Sequence, residues 1–203
     1  MALTLIRTSG NLGYNTFDMT FDGKYLYLTD YLSNLIKKYD SNFNLIRTSG
    51  ALGFICSGIV FDGKCLYVAD YQTRTLKKYD SNFNLIRTSA NLGYYPYGLT
   101  FDGKCLYVAD YANQFIRKYD ISFNLIITSG ALGYNPYGIT FDGKYLCVVD
   151  DINQFIKKYD RNFNLIRTSE ALGYDPGGIV FNGKYFYVAD FTAGNVINQY
   201  TWT

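Results

Sequence analysis

Five aspartates stand forty residues apart: Asp30, Asp70, Asp110, Asp150 and Asp190. Such a ring of carboxylates has the donor type for a metal girdle or for acid–base work. Each, however, ends an apolar run just before polar turn residues, where an Asp side chain caps exposed backbone N–H groups. Recurrence favours that capping role, because an asymmetric reaction site should break a repeat rather than obey it. The carboxylates that do break it are Asp18, Asp151, Asp175 and Glu170. Asp18 stands where the other copies carry Gly58, Gly98, Gly138 and Gly178. Two carboxyl groups roughly 5–10 Å apart suffice for glycoside hydrolysis. Asp18 with Asp151 or Asp175 is the pair to consider, but nothing in the sequence brings them together. No residue is assigned a catalytic role, and the chain is expected not to be an enzyme.

Other chemistries lack their residues. There is no His, which removes the commonest general base and metal ligand. Among the four cysteines, Cys65, Cys105 and Cys147 stand where other copies have Tyr, and read as apolar packing residues; Cys56 falls in a loop and is expected to be a free, exposed thiol. No metal site and no cofactor are expected. Free thiols and the lack of a leader-like or long apolar segment point to a soluble, cytoplasmic protein with no membrane partner. Net charge is +2, too small for a field that gathers nucleic acid.

The elements that must position these residues follow from the period. Phe-Asp-Gly-Lys begins at Phe21, Phe61, Phe101 and Phe141, and returns as Phe-Asn-Gly-Lys at Phe181. Forty residues built of short apolar runs between turn signals is a propeller signature. In one copy the strand-like runs are Gly138–Asp142, Tyr145–Asp150, Phe155–Tyr159 and Phe163–Thr168. Runs such as Leu66-Tyr67-Val68 are apolar on both faces, as strands buried between stacked blades should be. The segment Leu3–Ser9 repeats Phe43–Ser49, whereas the chain ends after a third strand near Asn195–Tyr200. One extra residue falls near Thr192–Gly194. The fold expected is all-β: a single closed five-bladed β-propeller over residues 1–203, with four antiparallel strands per blade. Its N-terminal strand completes the last blade.

The repeat resembles the NHL repeat. The matching elements are Pro136–Ile139, the Asp142-Gly143 turn, and Tyr-Val-Ala-Asp at Tyr67–Asp70, Tyr107–Asp110 and Tyr187–Asp190. The resemblance spans essentially all five copies, although NHL propellers usually have six blades. It implies a platform for protein or RNA; relatives include lactonase-like and lyase enzymes that use metal, whose constellation has no match here.

Loops alternate between the two ends of a four-stranded blade. One face carries the near-uniform Asp-Gly-Lys and Tyr-Asp-x-Asn-Phe turns. The other carries loops that vary, with aromatics among Asn, Gln and Asp. Such residues suit a ligand that stacks and hydrogen-bonds. The candidate binding residues are Asn15, Phe17, Asp18, Tyr95, Tyr97, Asn135, Tyr137 and Asp175. Tyr14, Phe54, Tyr94, Tyr134 and Tyr174 put an aromatic in every copy and are expected to pack between blades. The varied face offers Arg74 as its main cation, so no nucleic acid partner is expected. The reading is a monomeric, lectin-like module for a carbohydrate. The alternatives are a scaffold for a protein or peptide, a recently amplified or engineered repeat without an evolved ligand, and a carboxylate-based glycosidase.

Overall fold

The computed structural model describes residues 3–14, 16–80, 82–192 and 195–202. Its twenty strands form five four-stranded antiparallel sheets. Strand β1 (Leu3–Thr8) stands apart in sequence. The first blade is β2 (Thr16–Phe21), β3 (Leu26–Asp30), β4 (Leu35–Tyr39) and β5 (Leu45–Thr48). The second is β6 (Cys56–Phe61), β7 (Leu66–Asp70), β8 (Thr75–Tyr79) and β9 (Leu85–Thr88). The third is β10 (Pro96–Phe101), β11 (Leu106–Asp110), β12 (Phe115–Tyr119) and β13 (Leu125–Thr128). The fourth is β14 (Pro136–Phe141), β15 (Leu146–Asp150), β16 (Phe155–Tyr159) and β17 (Leu165–Thr168). The last blade has β18 (Pro176–Phe181), β19 (Phe186–Asp190) and β20 (Val196–Trp202), and takes β1 as its outer strand in the order β1-β20-β19-β18. The expected closure is therefore the observed one.

The inner strands β2, β6, β10, β14 and β18 contact one another in a closed cycle. They approach so tightly that four of the five blades carry glycine at the centre. A Cβ added to Gly98 would lie 2.6 Å from the Tyr137 carbonyl and 2.8 Å from the Gly138 Cα. The core is divided among the gaps between blades, as in the cluster of Cys105, Tyr107, Ala109, Ile139, Leu146 and Val148. Tyr14, Phe54, Tyr94, Tyr134 and Tyr174 are buried in this packing, and the hydroxyls of Tyr14 and Tyr39 hydrogen-bond at 2.8 Å.

Three expectations need correction. Each inner strand starts earlier than its apolar run, at Pro136 rather than Gly138, because the Pro136 end already pairs with Asp150. Each outer strand starts later, at Leu165 rather than Phe163, because Phe163 sits in the turn at φ 67°. Cys56 is not an exposed loop thiol. It opens β6, fully buried, with Sγ 3.6 Å from the Asp30 and Leu35 carbonyls, and burial pushes its thiol up to about 12. No helix among the described residues is long and apolar enough to cross a membrane.

Candidate functional site

The channel is plugged by one side chain. Asp18 occupies the position that is glycine in the other blades, and it is 1% exposed. Its Oδ2 accepts the backbone N–H of Ile59 at 3.1 Å and of Leu99 at 3.2 Å, from the inner strands of the next two blades. The ring of inner strands thus turns amide dipoles inward onto one carboxyl group. Burial nevertheless pushes the Asp18 carboxyl well above the usual carboxylate range, against the lowering influence of those N–H donors. Its other oxygen, Oδ1, is buried without a hydrogen-bond partner.

Aromatic rings close the channel mouth. Phe17 follows the start of β2 and packs at 5.0 Å on Tyr97 and 4.8 Å on Tyr137, centroid to centroid. Tyr97 stacks on Tyr111 at 4.5 Å, and Tyr137 meets Phe191 edge-on at 5.6 Å. The repeat equivalents of Phe17 in the other two blades are the small residues Ser57 and Gly177, so three of the five positions around the mouth carry a ring. The Phe191 ring covers Gly177, and space remains beside that ring. There Thr16, Phe17, Tyr31, Tyr137, Phe191 and Asn195 line a cleft of about 340 Å³ between the last blade and the first. Burial, with Tyr97 second, holds the Tyr137 hydroxyl far above the ordinary phenol range, so it is a neutral donor and acceptor.

Outside this cluster the varied loops pair across blades. Arg74 Nη2 donates to the Tyr95 hydroxyl at 2.7 Å, Gln114 Nε2 to Asn135 Oδ1 at 3.0 Å, and Gln154 Nε2 to Asp175 Oδ1 at 3.4 Å. The Tyr111 hydroxyl donates to Asp151 Oδ2 at 3.1 Å, and burial raises the Asp151 carboxyl. Of the sequence candidates, Phe17, Tyr97 and Tyr137 come together at the mouth with Asp18 beneath them. Tyr95, Asn135 and Asp175 instead lie farther out in the cross-blade pairs, and Asn15 lies outside the described residues. Tyr31, Phe191, Thr16 and Asn195 line the cleft without having been candidates. The signal for Tyr31 and Phe191 was the residue after each ring aspartate, which reads Tyr31, Tyr71, Tyr111, Asp151 and Phe191.

The aspartate ring is structural. Asp30 Oδ1 accepts the Leu32 and Ser33 amides at 3.1 Å, and its Oδ2 meets the Lys37 ammonium at 2.8 Å. The same cap and ion pair recur at Asp110, through Asn113 and Arg117, and at Asp150, through Asn153 and Lys157. Among the described residues no three His, Cys, Asp or Glu side chains gather to hold a metal.

No protein-family model matches the sequence, and neither does any curated protein. Solved structures do. The chain superposes on the glutaminyl cyclase of Myxococcus xanthus with a TM-score of 0.83 and 11% identity, covering 98% of this chain and 97% of that one. A chain of the nidogen/laminin complex gives 0.73 and 21%, over 92% and 76%. A catalytically inactive virginiamycin B lyase of Staphylococcus aureus, with quinupristin, gives 0.63 and 15%, over 95% and 82%. At these identities the likeness is one of fold, and a propeller hosts many activities. The chain is a five-bladed β-propeller.

Proposed function

We propose that this propeller is a non-catalytic, NHL-like binding module whose ligand is a carbohydrate held at the cleft between Tyr31 and Phe191. The observation that carries this reading is the cleft itself: the rings of Phe17, Tyr31, Tyr137 and Phe191 line it at the channel mouth, with Asn195 beside them. Ring faces stack on the apolar face of a sugar while a few polar groups fix its orientation. The glycosidase alternative has less support. Asp18 is buried beneath the rings, Asp151 is engaged by Tyr111, and Asp175 by Gln154. A nucleic acid reading is weakened too, since Arg74 is committed to Tyr95. We read the protein as monomeric and, from its four buried free thiols, as suited to the cytoplasm.

A second reading, a scaffold for a protein partner, draws on the outer strands, whose Leu45, Ile46, Leu85 and Ile86 side chains are each more than half exposed. A glycan-array screen of the protein beside a Tyr31→Ala, Phe191→Ala variant and a Tyr97→Ala, Tyr137→Ala variant tests the first reading. Saturable binding that the variants lose is the expected result. A folded sample that binds no glycan would overturn it and leave the scaffold.

A further inference from the structure

The turn that joins the innermost strand to the second is the same in every blade. Asp22, Asp62, Asp102, Asp142 and Asn182 each accept the lysine amide two residues on, at 2.8, 2.8, 2.9, 3.0 and 3.0 Å. Those lysines are Lys24, Lys64, Lys104, Lys144 and Lys184, and all five are exposed. The inner strands form a closed cycle. Five identical turns on that cycle set the lysines at one level around the far mouth of the channel.

Their charge is not cancelled locally. The turn carboxylates face other cations: Asp22 meets Lys38 at 4.0 Å, Asp62 Lys78 at 3.9 Å, Asp102 Arg161 at 3.9 Å and Asp142 Lys158 at 2.9 Å. The closing blade has the neutral Asn182 there. Among the described residues, none of the five lysines takes part in an ion pair. Three lie against a tyrosine instead, with Nζ 4.9 Å from the Tyr25 centroid and 4.8 Å from those of Tyr145 and Tyr185. The other carboxylates of this end, Asp40, Asp80, Asp120 and Asp160, sit in the outer turns beside cations of their own. Arg7 donates to the Ser41 carbonyl at 2.7 Å, Arg47 lies over the Phe83 ring and Arg87 over that of Phe123. Between the third and fourth blades Arg161 and Lys118 together balance Asp102 and Asp160. The opposite face carries Asp151, Asp175 and Glu170 against Arg74. A chain whose net charge is only +2 is thus polarised along the channel axis.

We propose that the lysine face adsorbs to an anionic lipid bilayer, with the channel axis along the membrane normal. Shape selects this partner. A plane meets all five coplanar lysines at once, whereas a rod-like nucleic acid laid across the ring meets only those beneath it. Lysine also suits a diffuse layer of headgroups, being a compact charge on a flexible stem. Each one is worth about fivefold in affinity for an anionic surface. Adsorption of this kind needs no membrane-crossing segment. The carbohydrate cleft, at the other mouth, then faces away from the lipid.

The test is co-sedimentation of the full chain with vesicles of phosphatidylcholine, alone or with about 30% phosphatidylserine. Binding to the anionic vesicles only, lost between about 0.1 M and about 1 M salt, is the expected result. Lys24→Gln, Lys64→Gln and Lys104→Gln combined should weaken it about a hundredfold. Lys104→Gln alone should weaken it about fivefold, and Arg74→Gln, on the opposite face, should leave it unchanged. The lysines are exposed and glutamine keeps the amide that the turn holds, so these variants fold as the parent does. Failure to bind, equal binding to both vesicles, or a triple variant that binds unchanged would overturn the proposal. So would equal losses in Lys104→Gln and Arg74→Gln, which would reduce the effect to net charge. Duplex DNA bound more tightly than the anionic vesicles would overturn it as well and assign the face to nucleic acid.

Discussion

At the uniform face each turn is closed from within its own blade. Asp40 accepts the Asn42 amide at 2.8 Å, the Asn44 amide at 2.9 Å and the Asn44 side chain at 2.9 Å, and Asp80, Asp120 and Asp160 repeat this. Asp22 likewise caps the Lys24 and Tyr25 amides at 2.8 and 2.7 Å. At the varied face the side chains reach into other blades: Asp18 to Ile59 and Leu99, Arg74 to Tyr95, Phe17 to Tyr97 and Tyr137. A local cap is the same problem in every copy and receives the same answer. A cross-blade contact depends on what the neighbour presents, so the five solutions differ. Variation at that face therefore reflects coupling as well as tolerance.

The sharpest way to break this contrast is at the centre, where the inner strands touch. Gly98→Ala places a methyl group 2.6 Å from the Tyr137 carbonyl and 2.8 Å from the Ile139 amide nitrogen, both backbone atoms that cannot swing aside. Overpacking of this kind costs about 3 kcal/mol, or roughly 10 °C of unfolding temperature for a chain of this size. Gly130→Ala, which meets nothing within 4 Å, is the control, expected within about 0.5 kcal/mol of the parent. Equal effects in thermal denaturation would show that the inner strands are not in contact.

Asp18 gives the next effect, and its sign is set by pH. Its folded pKa is raised, with burial as the first cause. A raised carboxyl contributes stability fully below its unfolded value of about 4, and that contribution is lost as pH rises through the folded value. The stability of the parent minus that of Asp18→Asn should therefore fall from pH 3.5 to pH 8, while the capping aspartates cancel in the difference. A difference that instead grows with pH would mean that the inward amides hold a carboxylate anion.

Much of this organisation was legible in the residues. The forty-residue period and the repetition of Phe43–Ser49 at Leu3–Ser9 dictated the ring and its closure, because both follow from spacing alone. The capping role of Asp30 and its copies was legible for the same reason: turns are local. The centre was not. Gly98 reads as a strand residue, and only the approach of β14 shows why no Cβ fits. Cys56 looked like a loop residue because the inner strand begins with small or polar residues in that blade, yet a neighbouring blade buries it. The outer cross-blade pairs recur at the same two repeat positions, twenty-one residues apart, but only the packing of adjacent blades shows that those positions meet.

The turn phenylalanines qualify the contrast between faces. Phe43, Phe83, Phe123 and Phe163 all hold φ between 63° and 69°, a left-handed conformation that costs about 1 kcal/mol for a residue with a Cβ. Each ring is half-buried between blades, and that of Phe123 meets Tyr67 edge-on at 5.9 Å. Burial of part of a large ring, with the edge-to-face contact, is worth about 2 kcal/mol, so packing outweighs the strain. Phe123→Gly should thus destabilise by about 1 kcal/mol, or about 3 °C. A stabilised variant would show that the turn geometry, not the ring, selects phenylalanine there.

The smallest effect belongs to a single outer pair of the varied face. Gln114 also holds a left-handed φ, 62°, and its amide donates to Asn135 at 3.0 Å across the blade boundary. Alanine keeps the backbone cost and removes the bond, and both partners are half-buried, so water replaces part of what is lost. The expected cost is about 0.5 kcal/mol. Asn135→Ala should cost somewhat more, because Asn135 also meets the Tyr111 side chain, and the double variant no more than Asn135→Ala alone. Additive costs would mean that the two side chains act separately, and the varied face would then be a set of independent loops.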